Sequence, residues 1–149
     1  MIRALVDTDV VISAMLGNED QSAECQALMN ALEAGEFVGI TTPVIMANIQ
    51  YVLGRRWELK RDQPDRARVA KAMLELLPLF SEMIPVAIGD FYASIASKFM
   101  DLEDGLQHFA AMRAGGIDAI VTCNGKDFGH SNIDHYTPTD FIIEYLGEE

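Results

Sequence analysis

Residues 101–128, DLEDGLQHFAAMRAGGIDAIVTCNGKDF, hold a helix, a strand and two acidic turns in one run. Asp101 and Asp104 stand three apart at a helix start, so their side chains point to the same side. Helical character runs from about residue 104 to 114, and Gly115-Gly116 ends it. Residues 118–122, DAIVT, are a short apolar run that reads as a buried strand. Asn124-Gly125-Lys126-Asp127 is turn chemistry placed directly after it. A helix feeding a buried strand that ends in polar residues is the building unit of a parallel sheet covered by helices.

The same alternation extends to both sides. Residues 2–6, IRALV, form a strand that stops at Asp7-Thr8-Asp9, read as a turn. A helix over residues 21–34 is closed by Gly35, and a strand follows over residues 37–40. Thr41-Thr42-Pro43 then supplies a hydroxyl cap with proline in the first helical turn. That helix runs past Gly54, and another opens at Pro64-Asp65 and stops at Pro78. Residues 84–88 read as a third strand and 89–100 as a helix; a short strand at 135–137 and a helix from Thr139 complete the chain. The fold class expected is α/β, a three-layer α/β/α sandwich with a central parallel sheet, in one domain spanning residues 1–149. Ligands of such sheets bind beyond the carboxyl ends of the strands, where strand order reverses. That rule selects Asp7 and the segment from Thr122 to Asp127.

Composition bounds the function. Half the residues are apolar and 23% are charged, an ordinary globular balance that argues against disorder. No apolar run approaches a membrane span, and the first strand is too short for a signal-peptide core, so a cytoplasmic location without membrane contact is expected. Cys25 and Cys123 stand alone, with no metal-type or framework spacing, and read as small buried side chains. The three histidines, His108, His130 and His135, likewise lack metal spacing. A net charge of −12 argues against a nucleic-acid partner until its distribution is considered. Arg55, Arg56, Lys60, Arg61, Arg66, Arg68 and Lys71 are seven of the eleven basic residues, and that segment nets +4. The rest of the chain carries −16. Such a segment is either a phosphate-binding patch or a solvated helical face.

Asp7, Asp104 and Asp127 are the candidate site. Each alone has an ordinary reading as a strand-end, helix-cap or turn acid. Their convergence at one sheet edge would be repulsive by about 4 kcal/mol for a pair at 4 Å and an effective dielectric near 20. Protons or a cation would have to relieve it. Oxygen donors without a His or Cys set favour Mg²⁺ or Mn²⁺ over zinc.

Three strings, LVDTDVVISAML (5–16), TPVIMANIQYVL (42–53) and DLEDGLQHFAAMRAGGIDAIVTCNGKDF (101–128), resemble the signature regions of PIN domains. These are metal-dependent ribonucleases that include the VapC-like toxins of toxin–antitoxin pairs. The resemblance implies that Asp7 is the first metal ligand, Asp104 the second acid and Asp127 the acid of the final turn. Asn124 falls where the family has Asp or Asn, Asp101 at the rim of the pocket, and Thr122 where a hydroxyl would hold a ligating carboxylate. Asp9 occupies a position that helps hold the turn. The sequence departs from the family at Asn48, where glutamate is common; Asn keeps a carbonyl oxygen but brings no charge. The implied reaction is hydrolysis of RNA phosphodiester bonds with Mg²⁺ or Mn²⁺, leaving a 5′-phosphate and a 3′-hydroxyl. Arg55, Arg56, Lys60 and Arg61 would hold the RNA backbone or an acidic antitoxin. A dimer formed through helices is also implied, and the dense apolar stretch over residues 73–80 is a candidate interface or core. The alternative is a catalytically weak PIN domain acting as an RNA- or protein-binding module. Asp7-Thr8-Asp9-Val10 also resembles the opening motif of haloacid-dehalogenase-like phosphatases. The order of the remaining acids, Thr122 and Lys126 is wrong for that family.

Overall fold

The computed structural model describes residues 1–17, 21–129 and 131–147; His130 and the side chain of Asp127 lie outside the described part. Its first strand, β1 (Arg3–Val6), is followed at once by helix α1 (Thr8–Leu16). The turn expected at residues 7–9 is therefore a helix start. Asp7 is its N-cap, with backbone φ −69° and ψ 155° and a side chain that accepts from Thr8 N at 2.8 Å. Gly17, at φ +67°, ends that helix in the left-handed region where a Cβ would be strained.

The chain continues through α2 (Ser22–Glu33), β2 (Val38–Thr41) and α3 (Pro43–Arg56). Thr42 caps α3 by accepting from Ile45 N at 3.1 Å, with Pro43 in the first turn as its fixed φ favours. A two-stranded hairpin, β3 (Glu58–Lys60) and β4 (Gln63–Pro64), follows, turning at Asp62 with φ +60°. Asp65 caps α4 (Arg66–Leu76) and a 3₁₀ turn covers Leu77–Leu79. Strand β5 is Glu82–Met83, earlier and shorter than the strand expected at 84–88. Pro85 cannot donate to a ladder, and Asp90 turns the chain into α5 (Ile88–Ala96) by accepting from Ala87 N at 2.8 Å. The last elements are α6 (Leu102–Ala114), β6 (Ala119–Val121), a 3₁₀ turn (Gly125–Phe128), β7 (His135–Tyr136) and α7 (Pro138–Phe141), which runs into a π turn (Ile142–Leu146).

All five strands of the main sheet are parallel, in the order β5-β2-β1-β6-β7. Strand β1 is central, with Leu5 in register with Ile40 on one side and Ile120 on the other. Strands β1, β2 and β6 are buried on both faces, which is why they read as unbroken apolar runs rather than alternating ones. Each fully buried Leu or Ile contributes about 2 kcal/mol by leaving water. Helices α5 and α6 pack against each other, while α1 contacts α2 and α3 and α2 contacts α7, giving the three-layer α/β/α arrangement. The α5–α6 approach is close because Gly105 leaves room: a Cβ there would collide with Ser94 Oγ, which itself donates to Leu102 O at 2.6 Å. Below the sheet, Arg3 ties the glycine turn after α6 to β5. It donates to Gly116 O and to Glu82, each at 2.6 Å.

The two cysteines are not isolated in space. Cys25 Sγ on α2 and Cys123 Sγ after β6 lie 3.3 Å apart, a contact between residues 98 positions apart in the chain.

Candidate active site

The strand order reverses around β1, since the chain leaves it for β2 on one side and returns to β6 on the other. The residues just past the carboxyl ends of β1 and β6 are Asp7 and Thr122. Thr122 is fully buried and its Oγ1 donates to Asp7 Oδ2 at 2.9 Å, while Asp7 Oδ1 accepts from Thr8 N. Both oxygens of Asp7 are thus held, one by β6 and one by α1. The Thr122 hydroxyl also accepts from Asn124 N at 3.1 Å, so it links the acid to the turn that follows β6. Asp9, one helical step on, accepts from Cys123 N at 3.4 Å and braces α1 against that same turn.

Asp7 is 6% exposed. Burial, the charge of Asp9 and the charge of Glu103 together push its carboxyl up to about 7, against the two hydrogen bonds that favour the ionised form. Asp104, 8% exposed, projects from the first turn of α6. Asp101 is the N-cap of that helix: its Oδ1 accepts from Glu103 N at 2.9 Å and Asp104 N at 3.1 Å. Asp101 is exposed, with one oxygen engaged by the helix end. Asn124 is exposed at the start of the 3₁₀ turn. The backbone of Asp127 lies in the same turn, and its side chain is outside the described part. Among the described residues no three His, Cys, Asp or Glu side chains gather closely enough to cage a metal ion by themselves.

Asn48, half-buried in the second turn of α3, donates from Nδ2 to Glu103 Oε1 in a short hydrogen bond. The same oxygen accepts from Gln107 Nε2 at 3.3 Å. Glu103 was not among the residues that the sequence suggested for the site. It is half-buried, and burial followed by the charge of Asp101 pushes its carboxyl up. Its signal in the sequence was only the string Glu103-Asp104, which says nothing of Asn48 until α3 and α6 are known to be neighbours.

The basic segment sits elsewhere. Arg55 and Arg56 end α3, on the order of 12 Å along the helix axis from Asn48. Arg55 pairs with Glu58 at 3.7 Å and Asp62 at 3.4 Å, and Arg61 lies 3.9 Å from Asp62. Arg68 stacks on Trp57 at 4.1 Å. Lys60 is exposed on the hairpin. Between α3, the hairpin and α4 runs a groove of about 820 Å³, lined by Tyr51, Arg55, Pro64, Val69, Met73 and Leu74 among others. Within the apolar stretch over residues 73–80, Met73 and Leu76 are core, whereas Leu74 is 73% exposed and faces this groove. His108, buried and bonded through Nδ1 to Ser131 Oγ at 2.8 Å, belongs to the α6 packing against Phe99 and Phe109.

Comparison with known proteins agrees with this architecture. VapC20 of Mycobacterium tuberculosis, a toxin that cleaves the sarcin-ricin loop, shares 19% identity with a TM-score of 0.56, covering 78% of this chain and 86% of its own. VapBC2 of Rickettsia felis, solved bound to a DNA fragment from its promoter, shares 12% identity with a TM-score of 0.63, covering 91% of this chain and 98% of its own. At those identities the likeness concerns the fold. No curated protein matches the chain in sequence. The PIN domain family does match it, over residues 3–126, and with that stretch holding β1, its acid, the switch point and α6, the chain belongs to the PIN domain family.

Proposed function

We propose that this protein is a metal-dependent ribonuclease of the kind found as the toxin in toxin–antitoxin pairs. The observation that carries this reading is Asp7, buried at the switch point of the sheet with both oxygens oriented and its ionised form opposed by neighbouring acids. A buried carboxylate with acids beside it and no basic partner among the described residues is stabilised by a cation. The donors are all oxygens, which suits Mg²⁺ or Mn²⁺. Mg²⁺ keeps several waters and takes one or two carboxylates, so a closed cage of three acids is not required.

Asp7, Asp104 and Asp127 would hold the ion, with Asn124 as a neutral oxygen donor and Asp101 at the rim. When bound, the ion supplies charge neutralisation at the phosphodiester and a lowered water pKa. Thr122 and Thr8 N keep Asp7 oriented for that task, and Asp9 keeps the α1 start against the turn after β6. Asp104 or Asp127 would accept the proton of the attacking water. Arg56, Lys60 and Arg61, with Arg55, would contact the RNA backbone, at a separation on the order of 12 Å along α3 from Asn48. The protein would need no covalent nucleophile, and neither cysteine suits the role, because burial pushes both thiols up and away from the reactive thiolate.

The groove between α3, the hairpin and α4 supports a second reading, a binding module for a partner segment with apolar and acidic side chains. Its walls combine Tyr51, Met73 and Leu74 with Arg55 and Arg66.

The deciding experiment is cleavage of a mixed, end-labelled single-stranded RNA pool with Mn²⁺, Mg²⁺ or EDTA, beside Asp7→Asn. Metal-dependent cutting that disappears in the variant supports the nuclease. No cutting by either protein, with RNA or partner binding retained, supports the binding module.

A further inference from the structure

We propose that Cys25 and Cys123 are a redox-active pair that closes to an intramolecular disulfide when the folded protein meets a small-molecule disulfide oxidant. The two residues are 98 positions apart in the chain, yet their Sγ atoms lie 3.3 Å from each other, and both are free thiols. Apolar side chains in ordinary core packing meet at about 4.0–4.5 Å, so these sulfurs are nearer than packing alone requires. A disulfide has an S–S length of about 2.05 Å, which leaves about 1.2 Å of approach. Three segments hold the pair in place. Cys25 is fully buried on α2, where its side chain also meets Ser13 of α1 through a hydrogen bond. Cys123 stands two residues past β6, and its backbone N–H donates to Asp9 of α1 at 3.4 Å.

The two thiols differ in burial, and that sets the order of events. Cys25 is out of reach of solvent, whereas Cys123 is partly exposed. Cys123 Sγ attacks one sulfur of the oxidant, the oxidant's S–S bond breaks, and its other sulfur leaves as a thiol with the Cys123 proton. Cys25 Sγ then attacks Cys123 Sγ in that mixed disulfide, and the second oxidant sulfur leaves with the Cys25 proton. The pair is oxidised by two electrons, two hydrogens leave the protein, and one oxidant disulfide becomes two thiols. Burial holds both thiols protonated, so exchange is slow and the equilibrium position is the quantity to read. That position favours closure in the fold, which has already brought together segments that an unfolded chain would have to collect across about 100 residues. The bond fastens α2 to the residue after Thr122, whose hydroxyl holds Asp7. Redox state thereby reaches the turn at the switch point of the sheet.

The test equilibrates the full chain in buffers of reduced and oxidised glutathione, natively and in urea. Remaining thiols are then alkylated and the peptides mapped by mass spectrometry. The folded parent should lose two hydrogens and yield the peptide that links Cys25 to Cys123. It should close at a [GSSG]/[GSH]² ratio lower than the unfolded chain needs by about a hundredfold or more. The oxidised protein should melt higher than the reduced one by about 10 °C, and dithiothreitol should reverse the rise. Cys25→Ala and Cys123→Ala, each with one thiol, should show no such rise. A folded parent that keeps both thiols, stops at a glutathione adduct or links two copies through Cys123 overturns the proposal. So does closure no more favourable in the fold than in urea, or a melting temperature that does not rise, since either means that the fold holds the sulfurs apart. An equal rise in either alanine variant assigns the effect elsewhere and overturns it too. The parent's own equilibrium decides the matter even where a variant of the buried Cys25 fails to fold.

Discussion

Replacing Asp7 by asparagine should make the metal-free protein more stable while removing the stability that a metal adds. A carboxyl raised from 3.8 to about 7 on folding disfavours the folded state above that range. The folded form binds the extra proton, so stability is fully present below about pH 4 and is lost as pH rises to about 7, at roughly 1.4 kcal/mol per pH unit. At pH 8 the full penalty is about 4 kcal/mol, and at pH 5 about 2 kcal/mol. Asparagine cannot ionise and keeps the local bonds. Its carbonyl oxygen accepts from Thr8 N, its amide donates to Thr122 Oγ1, and Asn caps helices as well as Asp does. Urea unfolding in EDTA should therefore show Asp7→Asn more stable than the parent, with a margin about 2–3 kcal/mol larger at pH 8 than at pH 5. Adding Mn²⁺ to about one hundred times its Kd should stabilise the parent by about 2.7 kcal/mol and the variant by almost nothing. A variant that is less stable than the parent at pH 8 in EDTA, or that gains as much from Mn²⁺, refutes the placement of a destabilised acid at the switch point.

Other perturbations have equally definite outcomes. His108 is held neutral by burial, so its pKa is lowered; its contribution is present above about pH 6.5 and lost as pH falls. His108→Gln, which can still meet Ser131, should flatten the acid limb of the stability curve, and an unchanged limb would place the titration elsewhere. Gly105→Ala should destabilise by about 1–3 kcal/mol, because Ser94 Oγ must give up Leu102 O or α5 must move off α6; thermal melting checks it. Neutralising Arg55 and Arg56 together should flatten the salt dependence of RNA affinity by about one unit of slope per lost contact. A slope that does not change assigns the end of α3 to the hairpin ion pairs alone.

Much of this fold is visible in the sequence because its signals are local. Strand β1 stops where apolar residues stop, Thr42-Pro43 and Asp65 cap their helices as their chemistry dictates, and Gly115-Gly116 end α6 at φ +72° and +69°. Where two local readings compete, only the neighbours decide. Asp7-Thr8-Asp9 fits a turn as well as a helix start, and the helix wins because Thr122 and Thr8 N fix the Asp7 side chain while Val10 and Val11 reach the core. Residues 84–88 have strand composition, yet β5 pairs with β2 only at Glu82 and Met83, after which Pro85 has no N–H to give. The hairpin after α3 left no alternating pattern, since both of its strands are exposed.

The site divides along the same line. Asp7 and Thr122 each follow a strand end, so the rule that ligands gather beyond parallel strands was enough to select them, whereas Asp104 was selected by its spacing from Asp101 and by the family resemblance. Glu103 follows no such rule. Spacing along α6 makes it a neighbour of Gln107, four residues on, but nothing in a one-dimensional pattern connects it with Asn48, fifty-five residues earlier. The same is true of Cys25 and Cys123, which read as solitary until their helices and strands meet. Asn48 shows why this matters for function. Taken alone, a neutral amide at an acidic position reads as a weakened metal site. Once its Nδ2 is seen donating to Glu103, the same residue is the partner of a half-buried carboxylate on α6. Adding an acid at position 48 without removing Glu103 would then set two carboxylates against each other and raise both pKa values.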